Sequence, residues 1–434
     1  MKLLIQKLLI WLSKRIIRRH QPIIVAVTGS VGKTSTRNAI AAVLESSFRL
    51  RTNFANYNNE FGVPLTIIGA VSPEKSLIGW LKVIFHGAKQ TLFKDQTYPQ
   101  LLVLEFGADR PGDIGALCDI AQPDVAVLTV VSPVHAANYA SFEQLIDEKT
   151  TIIRRVKPGG LAVLNADDAR VLDHRLEAPA RVLTYGFSQA ADLRGFNYHL
   201  ETRQDFTFDP GEQFAETHFE VEFEEETMPA NLPNLIGRAQ VSAALGALAV
   251  GRHFDLSLED MIPRLAKILP QAGRMNPLPG IKKCLVLDDT YNAAPASVRA
   301  ALEVLGQFTP QGDGQRIAAL GQMAELGRYS RDEHRLIGHQ VAEIGVSLLV
   351  TVGEEALGIR AGAIEAGLTD GQCAHFDNSE EAGRHLDKEV RTGDIVLVKG
   401  SQSARMEKVV KDLMAEPLRA EQLLVRQSEK WLKT

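Results

Sequence analysis

Apolar residues along this chain recur in two periods, and each change of period marks an element. Leu4, Leu8, Leu12 and Ile16 fall at helical spacing in residues 1–20, with Lys7, Lys14, Arg15, Arg18 and Arg19 between them. This predicts a basic amphipathic helix. The β-branched run Ile23–Val27 ends at Thr28-Gly29 and predicts a buried parallel strand, and Asn38–Leu44 predicts a helix after it. Further apolar runs stand at Leu101–Leu104, Val125–Val130 and, after the turn Pro158-Gly159-Gly160, Leu161–Leu164. Strands separated by helical stretches predict a mostly parallel sheet covered by helices on both faces. Residues 196–230 switch to period two: Phe206 and Phe208, then Phe219, Val221 and Phe223, alternate with polar neighbours. Antiparallel strands with one wet face are expected there, as a small β-excursion. Proline and glycine gather at Pro270–Pro279, a candidate joint, beyond which Cys284–Leu287, Ile317–Leu320, Leu348–Val352 and Ile395–Val398 are strand-like. The predicted class is α/β: a basic helix over 1–20, a central domain over 21–270 and a Rossmann-like domain over 271–434.

Between Ser76 and Phe93 the residues Leu77, Ile78, Trp80, Leu81, Ile84 and Phe85 form one apolar helix face, flanked by Lys82, His86, Lys89 and Lys94. Packing on the core and contact with a membrane or partner are both open readings of this face. The same holds for residues 1–20. Their run is broken by Gln6 and Lys7, lacks a signal-peptide cleavage pattern and is short for a bilayer span. It suits either the headgroup layer of an anionic inner membrane surface or the protein's own flank.

A length of 434 residues predicts two or three domains, and 45% hydrophobic with 23% charged residues describes a folded chain. The net charge of −5 gives no global attraction to nucleic acid, so no nucleic-acid partner is expected. Cys118, Cys284 and Cys373 form no CxxC pair and are expected to be buried thiols in a reducing compartment, the cytoplasm.

Chemistry enters at Gly29-Ser30-Val31-Gly32-Lys33-Thr34-Ser35, where a strand turns into a helix. The glycines let backbone wrap a phosphate, and the helix start offers N–H groups to it. Lys33 is placed to reach the β- and γ-phosphates of ATP, and the Thr34 hydroxyl to ligate Mg²⁺. The central domain is therefore read as a P-loop ATPase domain. Glu105 follows the strand Leu101–Leu104, and His135 follows Val125–Val130; both fall at the carboxyl edge where α/β sheets place ligands, and both are candidate metal ligands.

Taken with Asn56–Pro64, Asn165-Ala166-Asp167-Asp168, Gly273-Arg274, Asp288–Ala293, Glu325-Leu326-Gly327, His334 and Lys399-Gly400-Ser401, this pattern resembles the Mur ligases, and among them the MurF branch. That branch adds D-alanyl-D-alanine to a UDP-linked muramoyl tripeptide. The resemblance implies an ATP- and Mg²⁺-dependent, ADP-forming amide ligase of peptidoglycan precursor synthesis. Its implied partners are a muramoyl-peptide-like carboxylate and a D-Ala-D-Ala-like amine. It implies that Lys149 is carbamylated and supports a second Mg²⁺, and that Glu105 and His135 bind metal. Arg274 would contact phosphate, Asp289 the nucleotide, and Asn292 the ATP or the incoming amine.

The chain also departs from the family pattern. Residues 237–243 lack a histidine and two asparagines of the family segment, Ala294 replaces an asparagine, and Gln322 replaces an aspartate. Only the basic helix precedes the P-loop, where MurF enzymes carry a UDP-sugar domain, so a different hold on the UDP part or a different acyl substrate is expected. Rival readings are a poly-γ-glutamate or folylpolyglutamate type ligase, a catalytically silent nucleotide-binding scaffold, and a P-loop motor.

Overall fold

A computed structural model describes residues 2–54, 57–133, 136–233 and 235–432. The first sheet takes its strands from β1 Ile23–Thr28, β2 Leu50–Thr52, β3 Leu101–Glu105, β4 Val125–Leu128, β5 Leu161–Asn165, β6 Arg181–Gly186, β7 Leu193–Thr202, β8 Ala215–Phe223 and β9 Glu226–Pro233. Their order is β2-β3-β1-β4-β5-β6-β7-β8-β9, parallel as far as β7 and antiparallel across β7, β8 and β9. The second sheet is built from β10 Asn276–Pro279, β11 Leu285–Asp289, β12 Arg316–Gly321, β13 Leu348–Val352, β14 Cys373–Phe376 and β15 Ile395–Lys399, ordered β10-β11-β15-β12-β13-β14. Only the β10 pairing in it is antiparallel. Pro277 and Pro279 are tolerated in β10 because it is an edge strand, where one side of the backbone needs no partner.

Alternation along β1 divides the first lobe into two cores. Val25 and Val27 face one layer, with helices α2 Lys33–Leu44 and α8 Arg238–His253 over them; Ile24 and Ala26 face the other. That second layer holds α1 Lys2–His20, α3 Gly62–Ile68, α4 Leu77–Leu92, α5 Asp113–Ile120, α6 Phe142–Arg154 and the short α7 Ala169–Leu172. Elements packed on the first sheet continue to the helix Leu258–Leu265, and the second sheet begins at Asn276.

Cys373, expected to be buried like Cys118 and Cys284, is only half-buried. Three expectations about elements also need correction. The helix after β1 starts at Lys33 rather than Asn38, because Gly32, at φ 86°, turns the chain directly into it. The strand expected to reach Val130 stops at Leu128, since residues 129–132 leave the sheet to hold the phosphate loop. Phe206 and Phe208 are not in a strand. They lie in the β7–β8 connection, broken by the Pro210-Gly211 turn, and pack with Phe214 near Phe308 of the second lobe.

The amino-terminal helix is a structural part of the first lobe. Leu9, Leu12 and Ile16 are fully covered, in one apolar core with residues of α3, α4 and β1, and the Ser13 hydroxyl donates to the Leu9 carbonyl. Its inward stripe is thus core, worth about 1.5–3 kcal/mol per large side chain. Leu12→Ala is expected to cost about 2–5 kcal/mol in chemical denaturation, and deletion of residues 2–20 to lower the melting temperature. An unchanged melting temperature after the deletion would show that α1 is not part of this core.

Candidate active site

The turn between β1 and α2 is pinned from the adjacent strand end. The Ser30 amide donates to the Val130 carbonyl at 2.6 Å, and the Thr129 hydroxyl to the Val31 carbonyl at 2.6 Å. Gly29, at φ 145°, passes so close to Thr129 that a Cβ would lie 2.0 Å from its hydroxyl oxygen. Only glycine fits there. No side chain caps the start of α2, so its first amides are left to an anion in the turn. Lys33 folds back, donating to the Gly29 and Ser30 carbonyls at 2.8 and 3.3 Å. Burial pushes its ammonium below the ordinary lysine value, partly offset by Glu105 and reinforced by Arg274.

Glu105 closes β3 and is buried, 3% exposed, at the mouth of this turn. Its carboxylate accepts from the Thr34 hydroxyl at 2.8 Å and from Asn58 Nδ2 at 3.0 Å, and Arg37 lies 3.5 Å away. Asn53 fixes the backbone beneath it, accepting from the Glu105 amide at 2.6 Å. From the second lobe, Arg274 donates to the Thr34 hydroxyl at 3.3 Å while stacking on Tyr291 at 4.2 Å. Asp288, fully buried, holds the segment that carries Arg274: it accepts from the Gly273 amide at 2.9 Å and from the Thr290 hydroxyl at 2.6 Å. Burial pushes the Asp288 carboxyl up to about 6 despite these bonds. Its neighbour Asp289 accepts from Lys399 Nζ at 2.7 Å, and the same ammonium reaches the Asn292 carbonyl at 2.9 Å.

These groups surround one cavity of about 330 Å³ between the lobes, lined by the 30–35 turn, Glu105, Arg274, Asp289, Asn292 and Lys399. Ten predicted site residues therefore meet: Ser30, Val31, Gly32, Lys33, Thr34 and Ser35 of the turn, with Glu105, Arg274, Asp289 and Asn292. Lys149, on α6, is buried beside them and donates to the Ala108 carbonyl at 3.2 Å. Burial, then the charge of Lys33, lowers its pKa to about 7, against the opposing pull of Asp109, Glu148 and Asp113. Next to it Glu148 caps α5, accepting from the Gly112 and Ile114 amides at 2.6 and 2.7 Å. His135 lies outside the described residues. Downstream of it, the Ala137 amide donates to the Glu325 carbonyl of the second lobe at 3.2 Å. His334 fixes that same lobe's turn by accepting from the Met323 amide through Nε2.

The donor set suits a divalent cation and a polyphosphate: a hydroxyl and a carboxylate in contact, an ammonium, an uncapped helix start and arginines within one cleft. Sequence reasoning missed Arg37 and Asn53 as members of this network, and named Lys399 only within the motif Lys399-Gly400-Ser401, without a role. The available signal for Arg37 is its position three residues after Thr34, on the same face of α2. Asn53 carries no comparable local signal, because its partner Glu105 comes from a distant segment.

The chain is similar to known proteins over most of its length. A family model of the Mur ligase middle domain matches residues 86–251, and one of the Mur ligase, glutamate ligase domain matches residues 273–402. The UDP-N-acetylmuramoyl-tripeptide–D-alanyl-D-alanine ligase of Mycobacterium tuberculosis (strain CDC 1551 / Oshkosh) is 30% identical over 412 residues, spanning 91% of this chain and 73% of that protein. The ligase of the same name from Bacillus subtilis (strain 168) is 27% identical over 395 residues, spanning 91% and 76%. The crystal structure of MurF ligase from Thermotoga maritima in complex with ADP aligns with a TM-score of 0.74 at 27% identity, covering 94% of this chain and 83% of that one.

The buried Lys149 sets a pH test. Its folded value of about 7 lies below the ordinary 10.5, so between these the unfolded chain binds the extra proton and stability rises with pH. In carbon-dioxide-free buffer, wild type is expected to gain stability relative to Lys149→Met as pH rises from about 7 to about 10. Parallel stability curves for the two proteins would show that the amine is not held neutral.

Proposed function

The chain belongs to the Mur ligase family of ATP-dependent, ADP-forming ligases, and we propose that it is a MurF-type enzyme joining a muramoyl-peptide-like carboxylate to a D-Ala-D-Ala-like amine. The observation that carries this reading is the contact chain Arg274–Thr34–Glu105, in which both lobes meet at the phosphate loop. On this reading the reaction runs in the cytoplasm, the compartment that supplies ATP.

The chemistry has two displacements. A carboxylate oxygen of the acyl substrate attacks the γ-phosphorus of ATP, forming an acyl phosphate as the bond to ADP breaks. The amine nitrogen then attacks the acyl carbon, phosphate leaves with the bonding pair, and the nitrogen loses a proton. Lys33 would exchange its two loop carbonyls for the phosphate oxygens, which is the reason a flexible ammonium serves at this position. Thr34 and Glu105 would hold Mg²⁺, with His135 and Lys149 as the further ligands the family pattern implies. Bound there, Mg²⁺ neutralises charge on the phosphates during transfer. Arg274 would keep the second lobe against the loop, and Asp289, Asn292 and Lys399 would face the nucleotide from that side. Closing the lobes excludes water from the activated acyl group.

Lys149 fits a carbamylated lysine. An amine titrating near 7 is substantially neutral at physiological pH, and the neutral amine is the form that adds to carbon dioxide with release of a proton.

With ATP and Mg²⁺, ADP release is expected to require both a UDP-muramoyl tripeptide and D-Ala-D-Ala, and to fall to background when either is omitted. Free glutamate as the better amine would favour the poly-γ-glutamate or folylpolyglutamate type. Turnover indifferent to both substrates would leave the scaffold or motor. Lys33→Ala is expected to lower ADP release by roughly a thousandfold, and Glu105→Gln to raise the Mg²⁺ concentration needed for half-maximal rate. Near-normal rates in both variants would remove the turn from the mechanism.

A further inference from the structure

We infer that the outer faces of α1 and α4 together form a docking surface for an anionic lipid bilayer. The inward stripe of α1 is taken up by the core, so the apolar part of this surface comes mainly from α4. Ile78, Leu81, Phe85 and Leu92 recur at helical spacing along α4 and are 69%, 66%, 75% and 67% exposed. The helix turns Val83, Gly87 and Gln90 inward. A run of bare aliphatic and aromatic side chains on a charged protein marks an interaction surface.

The two helices lie side by side. A Cβ on Gly87 would meet the Leu12 side chain at 3.1 Å, Arg19 donates to the Leu92 carbonyl at 3.0 Å, and His20 meets the Gln90 carbonyl at 3.0 Å. The outer face of α1 continues the surface with Leu4 and Trp11, 71% and 47% exposed, among the exposed Lys7, Arg15 and Arg18. The Arg15 guanidinium lies 4.3 Å over the Trp11 ring, pairing an amphipathic ring with a cation.

Charge selects the occupant. Between them α1 and α4 carry eight Lys or Arg and no Asp or Glu, in a chain whose net charge is −5. Exposed Glu74 and Asp95 flank the two ends of α4, and Asp95 lies within electrostatic reach of His20 and Lys89. The helices themselves are cationic, and with their aromatic and aliphatic tips they are complementary to anionic headgroups over an acyl layer. No helix among the described residues is long and apolar enough to cross a membrane, so the association is peripheral. Neither helix contributes to the lining of the catalytic cavity, and this inference stands independently of the ligase reading.

Co-sedimentation of the full chain with vesicles tests it. The protein is expected to pellet with phosphatidylcholine vesicles containing about a quarter phosphatidylglycerol, and roughly tenfold less with pure phosphatidylcholine or in about 0.5 M salt. The triple variant Ile78→Gln, Leu81→Gln, Phe85→Gln and the triple variant Lys7→Glu, Arg15→Glu, Arg18→Glu are each expected to lower partitioning by roughly tenfold. Melting temperature and ADP release should stay at wild-type levels in both, which separates lost docking from lost folding. Wild type remaining in the supernatant with anionic vesicles, or variants binding as wild type does, would overturn the inference. So would a concentration-dependent dimer abolished by the α4 variant, since a second copy would then cover the face. Binding to native membranes alone, lost on their protease treatment, would assign the face to a membrane protein instead.

Discussion

A carboxylate withdrawn from water must have its charge met by donors, and Glu105 gathers them from separate parts of the chain. Thr34 comes from the phosphate loop, Asn58 from the segment before α3, and Arg37 from one helical turn beyond Thr34. Asn53 holds the backbone of Glu105 in place. Replacing the acid would strand these partners, so the first lobe is organised around a charge that a cation can share. A site with this much buried polarity is stable only while each member stays satisfied, and that requirement constrains the loop.

The second lobe enters through the same network. Arg274 reaches Thr34 because Gly273 and Thr290 are tied to the buried Asp288, while Asp289 is held by Lys399. Two adjacent acids at the end of β11 thus do different work: the inner one shapes the hinge and the outer one faces the cleft. The loop carrying Phe206 and Phe208 adds an apolar contact between lobes, since both rings share a cluster with Phe308. Contact between the lobes rests on polar groups at the cleft and on aromatic packing away from it.

Lys149 shows the opposite balance. Its amine is buried, reaches a backbone carbonyl, and is depressed toward neutrality by desolvation and by Lys33. A lysine kept this way costs stability, a pattern expected where a functional group is held against its folding preference. Glu148 beside it faces α5 and caps that helix, so consecutive residues on α6 serve different neighbours.

Much of this protein is legible in its sequence because local rules sufficed. Two-sided apolar runs became the central strands, glycines at 29 and 32 allowed the loop, and Glu105 stands at a strand end as its position after Leu101–Leu104 implied. Backbone conformation and period are properties of neighbouring residues, so neighbours reveal them. Tertiary structure alone decided which apolar faces are covered: Leu9, Leu12 and Ile16 went inward while Ile78, Leu81 and Phe85 stayed out, although both helices have suitable stripes. It alone joined Arg274 to Thr34, 240 residues apart, and buried Lys149, whose sequence context is that of a surface lysine. Those outcomes depend on what packs against each face, and that partner is written elsewhere in the chain.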